Sequence, residues 1–265
     1  MNKCDICSGT AYSLIWDVNG YDIVQCSKCG LVYAIVTEND IENIYEMDYY
    51  KQVYPDYESD KNIHDRNNTR LLQKIEQHFA PATIVEIGSA FGFFLDAAKK
   101  RGWKTLGYET SEYASRIARE KYFQNIKDDF LNDTIDDSVN VVCMFDTIEH
   151  LLSPSQYIEK IFHTLPKGGG LIITTGDLSS RMARVFRTKW RMIVPPLHVY
   201  YYTPKTITRL LEAHGFEILS ISHEAKYQNI NSIFQYQFGL DKNAIPKVPI
   251  LVNFWDIMLV IARKA

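Results

Sequence analysis

Long apolar runs are missing from this sequence. No stretch reaches 18 uncharged apolar residues, and the most hydrophobic segment, 248–262, is broken by Asp256. The opening residues MNKCDICSG lack the apolar core of a secretory signal, so a soluble, cytoplasmic protein is expected. Internal repeats and low-complexity tracts are also absent. With 46% apolar and 23% charged residues, the composition excludes a disordered, collagen-like or coiled-coil chain. Positive charge is scarce at the front. The first 60 residues hold 3 Lys/Arg against 11 Asp/Glu, whereas 61–265 hold 26 against 21. An acidic front end grips phosphate backbones poorly, which argues against nucleic acid as a partner.

Cysteine is sparse but patterned. Four of the five form two C-x-x-C pairs, Cys4/Cys7 and Cys26/Cys29, with 18 residues between them. Two thiolates three residues apart reach one ion from a single tight turn, and two such turns complete a closed Cys4 shell that suits structural zinc. Disulfides are disfavoured in a reducing compartment. Between the pairs, apolar residues flank Asn19-Gly20, a strong hairpin-turn signal. Residues 1–35 therefore read as a zinc ribbon. The fifth cysteine, Cys143, sits in the apolar run VVCMF and reads as a core thiol.

Residues 36–62 carry Tyr45, Tyr49, Tyr50, Tyr54 and Tyr57 among acids, a linker or a lid that packs tyrosine rings over a ligand. A helix is predicted over 63–79. From there strands (83–87, 104–108, 139–145, 171–175, 216–222, 258–263) alternate with helices (93–101, 111–122, 153–165, and one from Pro204 stopped by Gly215). Such alternation predicts an α/β domain over 63–265: a Rossmann-like, seven-stranded, mainly parallel sheet with helices on both faces.

The first strand of that domain runs straight into Glu86-Ile87-Gly88-Ser89-Ala90-Phe91-Gly92 and then a helix. A Gly-rich strand-to-helix turn points backbone N–H groups at a ligand. Glu109, 17 residues after Gly92, ends the second strand, where a carboxylate can accept from both ribose hydroxyls. Glu86, inside the loop, would repel a pyrophosphate but not an ammonium group. The motifs VEIGSAFG, LGYE, KDDF, FDTIEHL and the Pro-Lys-Gly-Gly-Gly turn before LIITT resemble the class I S-adenosylmethionine (SAM)-dependent methyltransferases. That resemblance implies that Glu86, Gly88, Ala90 and Gly92 form the cofactor loop, with Ala90 in place of its middle glycine. It also places Glu109 on the ribose, Asp129 on the adenine amino group, Phe130 beside the ring and Asp146 near the methionine end.

A Cys4 module on such a domain is similar to zinc-module methyltransferases that modify sugars, including C-methyltransferases of nucleotide-linked deoxysugars. In that group a Glu-His pair before a late helix removes a proton. His198 falls on the His position and Leu197 on that of the Glu, so O-methylation stays open alongside C-methylation. His198 is the candidate general base, with His150 of FDTIEHL as the second candidate. No metal is needed in the methyl transfer itself. In the acid-free segment 180–191, Arg181, Arg184, Arg187 and Arg191 are spaced to share a helix face, which suits a phosphate-bearing acceptor or a membrane surface. Residues 225–255 are expected to form a lid or a dimer face. The alternatives are an RNA or protein methyltransferase that uses the ribbon for recognition, and a non-catalytic cofactor-binding scaffold.

Overall fold

A computed structural model of the chain describes residues 3–40, 57–122, 124–135, 139–238 and 246–265. Tyr45, Tyr49, Tyr50 and Tyr54 lie outside them. The front of the chain forms β1 (Tyr12–Val18), β2 (Tyr21–Cys26) and β3 (Val32–Ala34). There follow α1 (Lys61–Ile75), β4 (Thr83–Ile87), α2 (Phe93–Lys100), β5 (Lys104–Tyr108), α3 (Glu112–Tyr122) and β6 (Ile126–Lys127). The middle holds β7 (Val141–Phe145), α4 (Pro154–Thr164), β8 (Gly170–Gly176), α5 (Arg181–Phe186), β9 (Tyr200–Tyr201) and α6 (Pro204–Ala213). The chain closes with β10 (Phe216–Ser222), β11 (Lys226–Asn229), α7 (Ile230–Phe238), β12 (Pro249–Val252) and β13 (Ile257–Lys264). Among the described residues no helix is long and apolar enough to cross a membrane.

Seven strands form the main sheet in the order β10-β13-β8-β7-β4-β5-β6. All neighbours are parallel except that β13 runs antiparallel to both β8 and β10. The crossovers that parallel pairing requires are supplied by the helices. Alternate strand residues divide the core into two layers, because side chains alternate across a pleated sheet. Ile84, Val141, Cys143 and Ile172 pack with Leu72 and Ile75 of α1, Leu95 and Ala98 of α2 and Ala118 of α3. Val85, Val142, Met144 and Ile173 pack on the other face with Ile158 and Ile161 of α4 and Ile207 and Leu210 of α6.

A second sheet, β1-β2-β3-β9, ties the front of the chain to the domain. Val32 and Tyr33 of β3 pair antiparallel with Tyr201 and Tyr200 of β9, and the buried core runs continuously from Ile23 and Leu31 into the α4/α6 layer. The predicted helix 63–79 stops at Ile75. Phe79, read as its last apolar residue, instead covers Gly170. The basic segment departs further from expectation. Its helix ends at Phe186, and Arg187 turns left-handed at φ 51°. Arg181, Arg184, Arg187 and Arg191 therefore share no helix face.

Candidate functional site

The C-terminal ends of β4, β5 and β7 open into a cleft of about 1040 Å³. At its floor the chain leaves β4 through Gly88 (φ 76°), Ala90 (φ 45°) and Gly92 (φ 74°), which starts α2. Gly88 is required by contact as well as by φ, since a Cβ there would stand 2.4 Å from Thr147 Oγ1. Ala90 accepts the left-handed conformation despite its Cβ, a strain of about 1–2 kcal/mol. Glu109 offsets it by accepting from Ala90 N–H and Ser111 N–H, both at 2.8 Å. Gly88 N–H and Ser89 N–H donate to the Tyr108 carbonyl, so the end of β5 holds the whole loop.

Two buried carboxylates face each other here. Burial, then the neighbouring Glu109, pushes the Glu86 carboxyl well above its ordinary range. Burial also raises Glu109, against the pull of its backbone donors. Phe130 lies edge-on to Tyr108 at 5.1 Å and lines the cleft. Asp129 does not line it. Strand β6 is only two residues long, so Asp128 is the first carboxylate beyond it and faces the cleft, while Asp129 caps a turn by accepting from Asn132 N–H and Nδ2–H.

The opposite wall comes from the ends of β7 and β8 and from the segment before β9. Asp146 is strained at φ 49°, accepts from Thr174 Oγ1 at 2.9 Å and lies 3.4 Å from Lys226. Burial opposes its charge, but Lys226 and Thr174 outweigh it and hold the carboxyl below its ordinary value. The group is surrounded by protein yet 47% open to cleft water, so a charged carboxylate is the consistent state. His150 and His198 meet edge to face, with ring centroids 4.6 Å apart. His150 Nδ1 lies 2.9 Å from the Leu197 carbonyl and His198 Nδ1 lies 2.8 Å from that of Met192. Burial lowers His198 to about 4, and burial with the His198 charge lowers His150 to about 3. A base titrating near 6.5 is therefore not what this wall provides. Buried between the histidines and Asp146 is Glu149, whose carboxyl is raised by burial and by the Asp146 charge.

A methyltransferase-domain model matches residues 60–221, more than half of the chain. The chain belongs to the methyltransferase-domain family. A probable SAM-dependent methyltransferase of Mycolicibacterium smegmatis is 25% identical over 173 residues, which cover 63% of this chain and 65% of the relative's length. The fold matches magnesium protoporphyrin IX methyltransferase of Synechocystis PCC 6803, solved with bound S-adenosylhomocysteine (TM-score 0.56, 14% identity, 82% of this chain and 97% of that one). It also matches a SAM-dependent methyltransferase of Archaeoglobus fulgidus (TM-score 0.55, 15% identity, 78% and 99%). The family's cofactor fits the residues present. Among the described residues Glu86 Oε2 and Ser89 Oγ are buried without hydrogen-bond partners, and Gly88 leaves a cradle that any Cβ would fill.

The two C-x-x-C turns converge. The Sγ atoms of Cys4, Cys7, Cys26 and Cys29 all lie within 4.8 Å of one another, with Cys4–Cys29 at 3.4 Å and Cys7–Cys26 at 3.5 Å. Those separations are too long for disulfides. They approach the edges of a tetrahedron whose centre lies about 2.3 Å from each sulfur.

Of the arginines singled out in the sequence, Arg191 alone lines the cleft, bound to Asp256 at 3.0 Å, while Arg181, Arg184 and Arg187 do not. Lys226 escaped sequence reasoning. It sits on β11, which pairs antiparallel with β12 and is held against α1 by Asn67, whose side chain donates to the Tyr227 carbonyl and accepts from the Tyr227 N–H. Tyr57 also lines the cleft, packed on Phe91 and Phe93.

Proposed function

We propose that this protein transfers the methyl group of SAM to a small, hydroxylated acceptor of the sugar or nucleotide-linked sugar class. The observation that carries this reading is that the loop 86–92 with Glu109 and the His150–His198 wall open into one cleft. When bound, SAM supplies a methyl group on a sulfonium, already activated for in-line attack. The chain's own contribution is position. Glu109 and Asp128 take the nucleoside hydroxyls and base edge, Phe130 packs on the ring, and Glu86 with the loop N–H groups receives the amino-acid end. Asp146, His150 and His198 then face the atom that accepts the methyl group, and the acceptor's proton is handled at that wall. The β11 strand bearing Lys226 and the ring of Tyr57 serve as cover that keeps water out.

Cys4, Cys7, Cys26 and Cys29 hold one structural zinc ion in this reading, with no open position for chemistry. Four reduced thiols fit a cytoplasmic setting. The test is transfer of label from methyl-tritiated SAM to a panel of sugars, nucleotide sugars, tRNA and protein extract. Label in a sugar fraction supports the proposal. Label confined to RNA or protein would move the ribbon to substrate recognition, and absence of SAM binding by calorimetry would overturn the cofactor assignment.

A further inference from the structure

Glu149 is a buried acid with little around it to hold its charge. It is 1% exposed, no well-formed hydrogen bond reaches either carboxylate oxygen, and the Thr175 hydroxyl nearby eases its charge only in part. The nearest cations are engaged elsewhere, Arg191 with Asp256 and Lys226 with Asp146. A buried carboxylate left in this state is expensive. Beside it stand two neutral imidazoles whose Nδ1 atoms rest on backbone carbonyls. For His198 this is how ligating histidines are commonly oriented, with one nitrogen fixed by an outer partner and the other turned toward an ion. His150 also borders the Asp146 backbone, and a neutral ring has only one N–H to share between two carbonyls. One ligand atom from each of Glu149, His150 and His198 lies within 4.8 Å of the other two, and all three residues line the cleft.

We propose that Glu149, His150 and His198 bind one divalent first-row transition-metal ion, of the series manganese to zinc, at the acceptor end of the cleft. Two imidazoles and one carboxylate suit that series better than magnesium or calcium, which prefer all-oxygen shells. Three protein ligands leave a position open toward the cleft. An acceptor hydroxyl taken there gives up its proton more readily. The O–H bond breaks, its electron pair stays on oxygen, and the proton passes to cleft water. This deepens the methyltransferase reading, on which it rests, and replaces a solitary His198 base with a bound ion.

The test uses the full chain with zinc in the cysteine site and other metals removed. Mn²⁺ is titrated in while its free-ion electron paramagnetic resonance signal is followed, because manganese competes poorly for thiolates. One Mn²⁺ per chain is expected, with unchanged zinc content. Glu149→Gln and His198→Gln should each weaken binding by about 100-fold, the upper end of what even an outer-shell loss costs. S-adenosylhomocysteine binding by calorimetry, run on the same samples, reports folding and the cofactor site separately. If it binds to wild type and neither Mn²⁺ nor Co²⁺ does, the metal site is refuted and the methyltransferase reading stands. If S-adenosylhomocysteine itself fails to bind, that reading falls. Equal Mn²⁺ affinity in wild type and both variants also refutes the site. Should the variants fail to fold, anomalous scattering from Mn²⁺-soaked wild-type crystals decides, and a peak away from these three residues overturns the proposal.

Discussion

Replacing Gly88 with alanine tests the cofactor loop at the position with the least room. Two costs combine. The backbone is left-handed at φ 76°, which charges a residue with a Cβ about 1 kcal/mol. The new Cβ would also stand 2.4 Å from Thr147 Oγ1 and 2.9 Å from its Cγ2. Thr147 cannot yield without giving up its hydrogen bond to the Phe145 or Ile87 carbonyl, 3.0 and 3.2 Å away, a loss of about 1 kcal/mol. The sum is about 2–3 kcal/mol. At about 2.1 cal/mol/K of unfolding entropy per residue, a chain of this size should melt about 4–5 °C lower. Gly20 supplies the control, since its φ is 82° but an added Cβ meets nothing within 4 Å. Gly20→Ala should cost only the strain, about 2 °C. Thermal melts of both variants, of Thr147→Ala and of Gly88→Ala/Thr147→Ala give the comparison. The double variant should lose less than the sum of its parts, because removing the threonine side chain removes the clash. If Gly88→Ala melts within a degree of Gly20→Ala, the contact with Thr147 is wrong and so is this account of the loop.

Other outcomes follow from the same geometry. Glu109→Ala frees the Ala90 and Ser111 N–H groups along with any ribose contact, and calorimetry should show SAM affinity lower by about 10- to 150-fold, the equivalent of about 1.5–3 kcal/mol. Elemental analysis of protein purified without chelator should find one zinc per chain, lost in Cys29→Ser, with turnover falling more than S-adenosylhomocysteine affinity. His64 is held neutral by burial, at about 4 against an ordinary 6.5. The unfolded chain therefore binds the extra proton between those values, and stability falls as pH drops through that window, by at most about 3 kcal/mol for this residue. Denaturant melts of His64→Gln should lose that share of the pH dependence, and identical slopes in both proteins would refute it.

The sheet was legible because each of its main strands is a local apolar run bounded by turn residues, and the glycine loop because strand, turn and helix adjoin in sequence. What escaped depends on distant partners. Strand β9 is two residues long and exists only through pairing with β3, some 168 positions earlier. Asp128 and Asp129 are adjacent, and the two-residue length of β6 decides which one meets the cleft. The arginine spacing in 180–191 satisfied a helix pattern, yet the chain turns at Arg187 and sends Arg191 inward to Asp256. For His198 the ordinary titration range was the only value available from sequence. Its displacement to about 4 comes from the protein packed around the ring.

That packing gives the cysteine module a task beyond its own stability. Cys29 presents its carbonyl to Arg209 of α6 at 2.7 Å, and Asp5 receives both the N–H and the hydroxyl of Ser155 at the start of α4. Between these anchors β3 lies along the segment that carries the acceptor wall. Ala34 N–H donates to the Val199 carbonyl, Val199 N–H donates to that of Glu149, and Tyr201 Oη–H donates to that of His198. The chain of contacts runs from the cysteine turns through β3 to Glu149 and His198, and it reaches the loop 86–92 one step further on, through Thr147, whose hydroxyl donates to the Ile87 carbonyl. An ion held by the four thiolates would bind the module shut without taking part in chemistry. Its loss would slacken the wall that faces the acceptor while leaving the cofactor's floor, which is held by β4 and β5, in place. A module built this way would brace the acceptor side of the cleft, and residues 1–35, with three acids against two lysines, carry little charge that needs a ligand to explain it.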